Sequence, residues 1–179
     1  SRIEAISLNI PCYHAANSAS TVLVPESHFN LVRAGLILYG VKSENMPKDL
    51  EIEPCFSLYT RVAHIRTLAQ AESASYGRSF FAPEERKIAI LPIGYADGYR
   101  RLMSDRAWVH VRGQRVPVVG KITMDQCMVD VTGISDVKIG DQVELLGPNI
   151  SIEEMSTWQE SIPYEVLSCI MPRVSRIYK

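Results

Sequence analysis

Two loop motifs in the second half of the 179-residue chain gather the residues best suited to chemistry. They read Gly94-Tyr95-Ala96-Asp97-Gly98-Tyr99 and Gly120-Lys121-Ile122-Thr123-Met124-Asp125-Gln126-Cys127-Met128. Each follows a short apolar run, residues 88–93 and 116–119, so each sets a tyrosine or a carboxylate where a strand ends. A third segment, Ala74-Ser75-Tyr76-Gly77, holds a phenol among small residues, as a side chain projecting from a loop requires. A tyrosine titrates near ~10 and is a poor base unless cations or hydrogen bonds favour the phenolate. By itself, Tyr76 therefore also reads as a packed aromatic. Arg33, before an apolar run, reads equally as a surface arginine whose stem covers apolar neighbours. His14 alone reads as a satisfied structural residue, Asp125 as a turn or cap residue, and Asp97-Gly98 as a turn. Small residues expose backbone N–H groups and a hydroxyl adds a donor, which is how neutral protein builds an anion site at strand and helix ends.

Hydropathy and turn signals outline the elements that must position these groups. Residues 6–10 form a short apolar strand, Tyr13-His14-Ala15-Ala16-Asn17-Ser18 a small polar turn, and 25–32 a short helix. Pro25 suits a first helical position and Glu26 the positive end of the dipole. Ala34-Gly35-Leu36-Ile37-Leu38-Tyr39 is almost wholly apolar, as a parallel strand covered on both faces needs. Strand, helix and strand at this spacing make a βα unit. Residues 41–54, with Lys, Glu, Asp, Asn and two prolines, read as a linker. Beyond them come strands within 56–68 and at 87–92, 107–111, 116–119, 128–131 and 142–146, with Arg112-Gly113-Gln114 as a hairpin turn. Many short strands with regular turns predict a compact β-barrel or sandwich. Ser151 and Glu154 form a capping box, a second short helix begins near Pro163, and residues 173–178 return as a strand.

Composition narrows the function classes. With 46% hydrophobic and 22% charged residues, the chain is an ordinary globular protein able to bury a core without disulfide or metal staples. Cys12, Cys55, Cys127 and Cys169 show no ligand spacing and read as reduced thiols, mostly packed as small hydrophobes, so no metal is expected. A net charge of −1 without a basic patch disfavours nucleic acid, and no apolar run is long enough to span a bilayer. No signal peptide is apparent and a cytoplasmic protein is the expectation. The start at Ser1-Arg2-Ile3, with no Met, suggests a truncated or cleaved polypeptide.

Taken in order, the Arg33, Tyr76, Tyr95 and Met124-Asp125 motifs resemble the C-terminal half of alanine racemase, from about His14 to Arg173. That family uses pyridoxal phosphate and interconverts L- and D-alanine. The resemblance implies a mainly β chain. Residues 1–40 would be the last βα unit or units of an incomplete (β/α)8 barrel, 41–54 the linker, and 55–179 a C-terminal β-barrel-like domain. It further implies that Tyr76 removes the α-proton on one face of the amino acid, in the active site of the other subunit. Arg33 would face the pyridine nitrogen, and because guanidinium accepts no proton it would keep that nitrogen unprotonated and the ring a weaker electron sink. His14 would bond to Arg33, while Asn17, Ser18, Gly35, Leu36 and Tyr164 would meet the phosphate, Tyr164 also narrowing the pocket. Met124 and Asp125 would meet the substrate carboxylate, with Tyr95 near the pocket. Arg101, Lys121 and Ile162 would line the entryway, Lys121 standing where an arginine is common.

The Schiff-base lysine of that family has no counterpart, since no lysine precedes Lys42. The chain alone is therefore expected to be inert, and its intact form to be a homodimer with the missing barrel, supplying D-alanine for cell-wall peptidoglycan. A barrel reduced to its last strands cannot close, so the excised chain is expected to self-associate, or to rearrange or lose order in its first forty residues. A serine or other amino-acid racemase is an alternative within the family. A non-catalytic β-domain serving dimerisation or interaction is an alternative outside it.

Overall fold

The computed structural model describes residues 10–43 and 45–178. They divide into two compact units, one ending at Cys55 and the other beginning at Phe56. The strand expected over 6–10 lies, except for Ile10, outside the described residues.

In the first unit the expected βα order is only partly realised. A helix, α1 (Ser18–Leu23), forms where a polar turn was expected to end, because Asn17 caps it: its side chain accepts the Ser20 N–H at 3.0 Å. The helix expected at 25–32 shrinks to one 3-10 turn, Pro25–Ser27, and ends before Phe29, whose φ of 50° no helix continues. Leu31 then bridges to His14 in parallel. The apolar run 34–39 is not a strand. Leu36–Tyr39 is a 3-10 turn, with the Leu38 N–H donating to Gly35 O and the Gly40 N–H to Ile37 O, both at 3.0 Å. A strand needs a neighbour to take its backbone groups, and among the described residues none lies alongside, so the chain satisfies them locally. Leu36 is buried and Leu38 exposed. Residues 41–55 fold back onto this turn, the Cys55 N–H donating to Tyr39 O at 3.2 Å.

The second unit is built on one antiparallel sheet. Its strands are β1 (Leu58–Arg61), β2 (His64–Leu68), β5 (Arg86–Leu91), β6 (Trp108–Val111), β7 (Gln114–Val119), β8 (Cys127–Asp130) and β9 (Gln142–Leu146), in the order β1-β9-β6-β7-β8-β5-β2. The two edge strands, β1 and β2, are joined by Val62 and Ala63 alone, whose N–H groups donate to Asp141 O beside β9 and to Ile90 O in β5. The sheet therefore curls back on itself, as a barrel-like domain must. A two-residue hairpin joins β6 to β7 through Arg112 (φ 50°) and Gly113 (φ 79°), the left-handed pair whose twist matches that of the flanking strands. Alternation within strands places Val109, Val111, Val116, Val118, Val129, Val143 and Leu145 in the core, each worth about 1.5–3 kcal/mol when fully buried.

A small hairpin, β3 (Ser73–Ala74) and β4 (Phe80–Phe81), packs Ala74 and Phe80 against Leu68, Ile88, Val119 and Met128. Two helices close the chain. In α2 (Ile152–Trp158) Ser151 Oγ accepts the Glu154 N–H and Glu154 accepts the Ser151 N–H, both at 3.1 Å, so the capping box forms. In α3 (Pro163–Cys169) the proline takes the first turn. The tail expected as a strand is irregular instead. The Arg176 guanidinium donates to the carbonyls of Ile170, Met171 and Val174, satisfying from a side chain the acceptors a strand partner would have taken. No helix among the described residues is long and apolar enough to cross a membrane.

Candidate functional site

The two motif loops are sewn together by backbone. The Tyr95 N–H donates to Thr123 O at 3.0 Å and the Ala96 N–H to Met124 O at 2.9 Å. Gly94 makes this possible. Its backbone is extended, so no special φ is involved, but a Cβ there would lie 2.2 Å from Thr123 O and 2.6 Å from both the Asp125 nitrogen and the Met124 carbonyl carbon. Tyr95, Met124 and Asp125 thus share one exposed rim.

Asp97 anchors that rim from below. Its buried carboxylate accepts the Gly94 N–H at 2.9 Å and takes both Nε and Nη2 of Arg173 at 2.5 and 3.0 Å. Burial pushes the Asp97 carboxyl up, but the Arg173 guanidinium and the Gly94 N–H outweigh it and hold it below its ordinary value. Asp125 adds a negative charge near Arg173. The motif's second tyrosine, Tyr99, is core, and burial drives its phenol well upward.

Tyr76 stands at the tip of the β3–β4 hairpin, in a 3-10 turn over Tyr76–Arg78, with 74% of its surface exposed. A groove of about 500 Å³ runs beside it, lined by Tyr76, Arg78, Lys121, Thr123, Gln126 and Met128 among others. Two cationic side chains, Arg78 and Lys121, thus line the same groove as the phenol. Arg78 is held in place, donating Nε to Ser73 Oγ at 2.9 Å and lying 5.3 Å from the centre of the Phe81 ring. Lys121 lines the groove, three residues before Met124 in the second motif.

Ile162 and Tyr164 are exposed at the start of α3. Its far end is tied to the Tyr95 loop, with Met171 N–H donating to Asp97 O at 3.1 Å. Arg100 pairs with Glu165 and donates to Cys169 Sγ at 2.9 Å. Arg101 is exposed at the start of a 3-10 turn, Arg101–Met103, whose Met103 is buried in the core.

The first unit collects the remaining candidates around Ser18. Its hydroxyl accepts the N–H groups of Gly35 at 3.0 Å and Ile37 at 3.4 Å, drawing the Asn17-Ser18 turn against Gly35-Leu36. With both lone pairs engaged, Ser18 retains only its O–H donor, which suits an anion. Arg33 joins the same cluster through its N–H to Ala16 O at 2.8 Å, and its guanidinium donates to Ala15 O at 3.2 Å rather than to the expected His14. Lys42 and Lys48 are the lysines of this unit, and Lys42 Nζ donates to Lys48 O at 3.2 Å, outside that cluster. Among the described residues no group of His, Cys, Asp or Glu could hold a metal. All four cysteines are free, but only Cys127 is fully buried, and Cys12 and Cys55 are exposed, contrary to the packing expected of them.

Two sequence families match the chain. The family described as alanine racemase, C-terminal domain, covers residues 55–178, and alanine racemase, N-terminal domain, covers residues 1–43. The chain belongs to the alanine racemase family. An alanine racemase of Clostridium perfringens is 45% identical over 183 residues, covering 99% of this chain and 47% of that protein. Among solved structures, the alanine racemase of Clostridium difficile 630 in complex with cycloserine has a TM-score of 0.91 at 36% identity, covering 97% of this chain and 47% of that one. The alanine racemase of Bartonella henselae with covalently bound pyridoxal phosphate has a TM-score of 0.86 at 32% identity, covering 99% and 50%. The chain spans about half the length of the curated relatives it matches.

Within this member of the alanine racemase family, Asp97 and Arg173 are the pair that sequence reasoning passed over. They are 76 residues apart, and the turn-like Asp97-Gly98 carried no sign of a buried partner. The missed role of Gly94 is of the same kind, visible only once the second loop stands against the first.

Proposed function

We propose that the complete protein interconverts L- and D-alanine in the cytoplasm, providing D-alanine for cell-wall peptidoglycan, and that this chain supplies one of its two proton-transfer bases, Tyr76. The observation that carries this reading is the shared wall. Tyr76, Arg78 and Lys121 line one groove together with Thr123 and Gln126, the residues that bracket Met124 and Asp125 in the chain, so a phenol and the loop that carries the Met124 backbone N–H border one surface. Bound pyridoxal phosphate would supply the electron withdrawal that makes the α-proton of an amino acid removable. Ser18, Gly35 and Leu36, with Asn17 beside them, are the residues suited to its phosphate, and Arg33 and His14 to its ring.

The chain's own residues then have distinct tasks. The phenol of Tyr76 takes or returns the proton at one face of Cα, and a second base, absent here, serves the other face, so removal and return invert the centre. The Met124 backbone N–H orients the substrate carboxylate. Tyr164 narrows the pocket toward the methyl side chain of alanine, and Arg101, Lys121 and Ile162 border its approach. Tyr76 and the Met124 loop serve the site of the other subunit, so the working form is a homodimer. With one base and no Schiff-base lysine, the chain alone is inactive.

The test is incubation with pyridoxal phosphate, borohydride reduction and intact mass, beside a racemisation assay of the chain before and after the barrel residues of its relatives are restored. The expected result is no single lysine adduct and no turnover without the barrel, and alanine racemisation with it. A clean adduct with turnover by the chain alone overturns its inactivity, and a restored protein that leaves alanine unracemised overturns the function.

A further inference from the structure

Ser75, immediately before Tyr76, has φ 72° and ψ 165°, a backbone region that belongs almost entirely to glycine. Glycine there would relieve the strain, and the chain does use glycine two residues on, at Gly77 with φ 67°. A serine in this conformation persists only if its surroundings hold it.

Three contacts do so. Ser75 Oγ accepts the Lys121 N–H at 2.7 Å. The side chain lies against Gly120 so closely that a Cβ at 120 would sit 2.6 Å from Ser75 Cβ and 2.8 Å from its Oγ. The Ser75 carbonyl accepts the Arg78 N–H at 3.1 Å, closing the turn that carries Tyr76.

The Lys121 bond is one of three in a row. The Gly120 N–H donates to Asp105 Oδ1 at 2.5 Å and the Ile122 N–H to Ser104 Oγ at 2.9 Å, on either side of it. Past the end of β7 the chain has left the sheet, and consecutive backbone donors there end on side-chain oxygens. Of those three oxygens, only that of Ser75 comes from the hairpin bearing Tyr76. One residue later, Thr123 O accepts from Tyr95, and Met124 O from Ala96.

We propose that Ser75 is a positioning residue: through the Lys121 N–H and its contact with Gly120 it fixes the Tyr76 phenol relative to the loop of Met124 and Asp125. This rests on the reading of Tyr76 as a proton-transfer base. Without the tether the hairpin tip is free to shift, and a base displaced by about 1 Å loses on the order of 10–100-fold in rate.

The test uses Ser75→Ala, which removes the acceptor, and Ser75→Gly, which also relieves the strain and so keeps the fold, with Tyr76→Phe as reference. In this chain, hydrogen exchange at the Lys121 amide is expected to lose its protection in both serine variants. In the racemase with its barrel restored, kcat is expected to fall about 10–100-fold with KM little changed. The primary α-deuterium isotope effect is expected to rise for the enantiomer whose proton Tyr76 takes and to fall toward unity for the other, because the Tyr76 step then limits turnover. A merely structural residue would leave both isotope effects where they were. Retained amide protection in Ser75→Ala overturns the tether. Lost protection with unchanged kcat and isotope effects overturns its positioning role. If Tyr76→Phe itself leaves both isotope effects unchanged, the assignment of Tyr76 has failed, and the proposal with it, while the amide result still reports whether the tether exists.

Discussion

Replacing Gly94 with alanine tests whether the two motif loops depend on the backbone contact between them. The added Cβ would meet Thr123 O at 2.2 Å and the Asp125 nitrogen and Met124 carbonyl carbon at 2.6 Å, all backbone atoms that no rotamer change can move. Restoring ordinary contact at 3.4 Å needs the loops to part by about 1 Å. The Tyr95 N–H bond to Thr123 O, now 3.0 Å, and the Ala96 N–H bond to Met124 O, now 2.9 Å, would then exceed hydrogen-bonding range. Two such bonds at about 1 kcal/mol each, with about 1–3 kcal/mol of overpacking, give a loss of about 3–5 kcal/mol. That corresponds to a fall in Tm on the order of 10 °C for a unit of this size. Thermal unfolding followed by circular dichroism measures it. Gly133→Ala is the control: nothing lies within 4 Å of its would-be Cβ, and its effect should stay within about 0.5 kcal/mol. If Gly94→Ala unfolds at the same temperature as Gly133→Ala, the loops do not need that close approach and the reasoning is wrong.

The Asp97 carboxyl is held below its unfolded value near ~3.9, so its contribution to stability is complete above that pH and is lost as pH falls through the lower folded value. Asp97→Asn should therefore cost about 1–2 kcal/mol at pH 7, a modest figure because Arg173 is half exposed, and should flatten the decline in Tm between about pH 5 and 2. Parallel pH profiles for parent and variant would refute the pair as a stabilising contact. Cys127 is buried and its thiol is pushed up to about 12, so a disulfide reagent at pH 8 should label exposed Cys12 and Cys55 rapidly, Cys169 more slowly, and Cys127 only after denaturation. Peptide mapping that finds Cys127 among the fast thiols would contradict its burial.

Elements governed by neighbours within a few positions could be read from the residues alone. The Arg112-Gly113 hairpin, the Ser151–Glu154 capping box, the proline start of α3 and the strands from β5 to β9 rest on local φ preference, capping donors and alternation, and all appear where those signals lie. The order of the Arg33, Tyr76, Tyr95 and Met124 motifs likewise pointed to the racemase family without any coordinates. Local pattern misled where a partner was decisive. The run 34–39 has the hydropathy of a buried strand, yet the chain closes the 3-10 turn Leu36–Tyr39, no strand among the described residues lying beside it. The tail 173–178 is apolar enough for a strand, yet Arg176 takes the nearby carbonyls. Tertiary structure alone joined Asp97 to Arg173, set Gly94 under Thr123 and Ser75 against Gly120. Periodicity records which face of an element is buried, whereas a contact between residues tens of positions apart leaves no period in the chain and exists only once the sheet has brought its loops together.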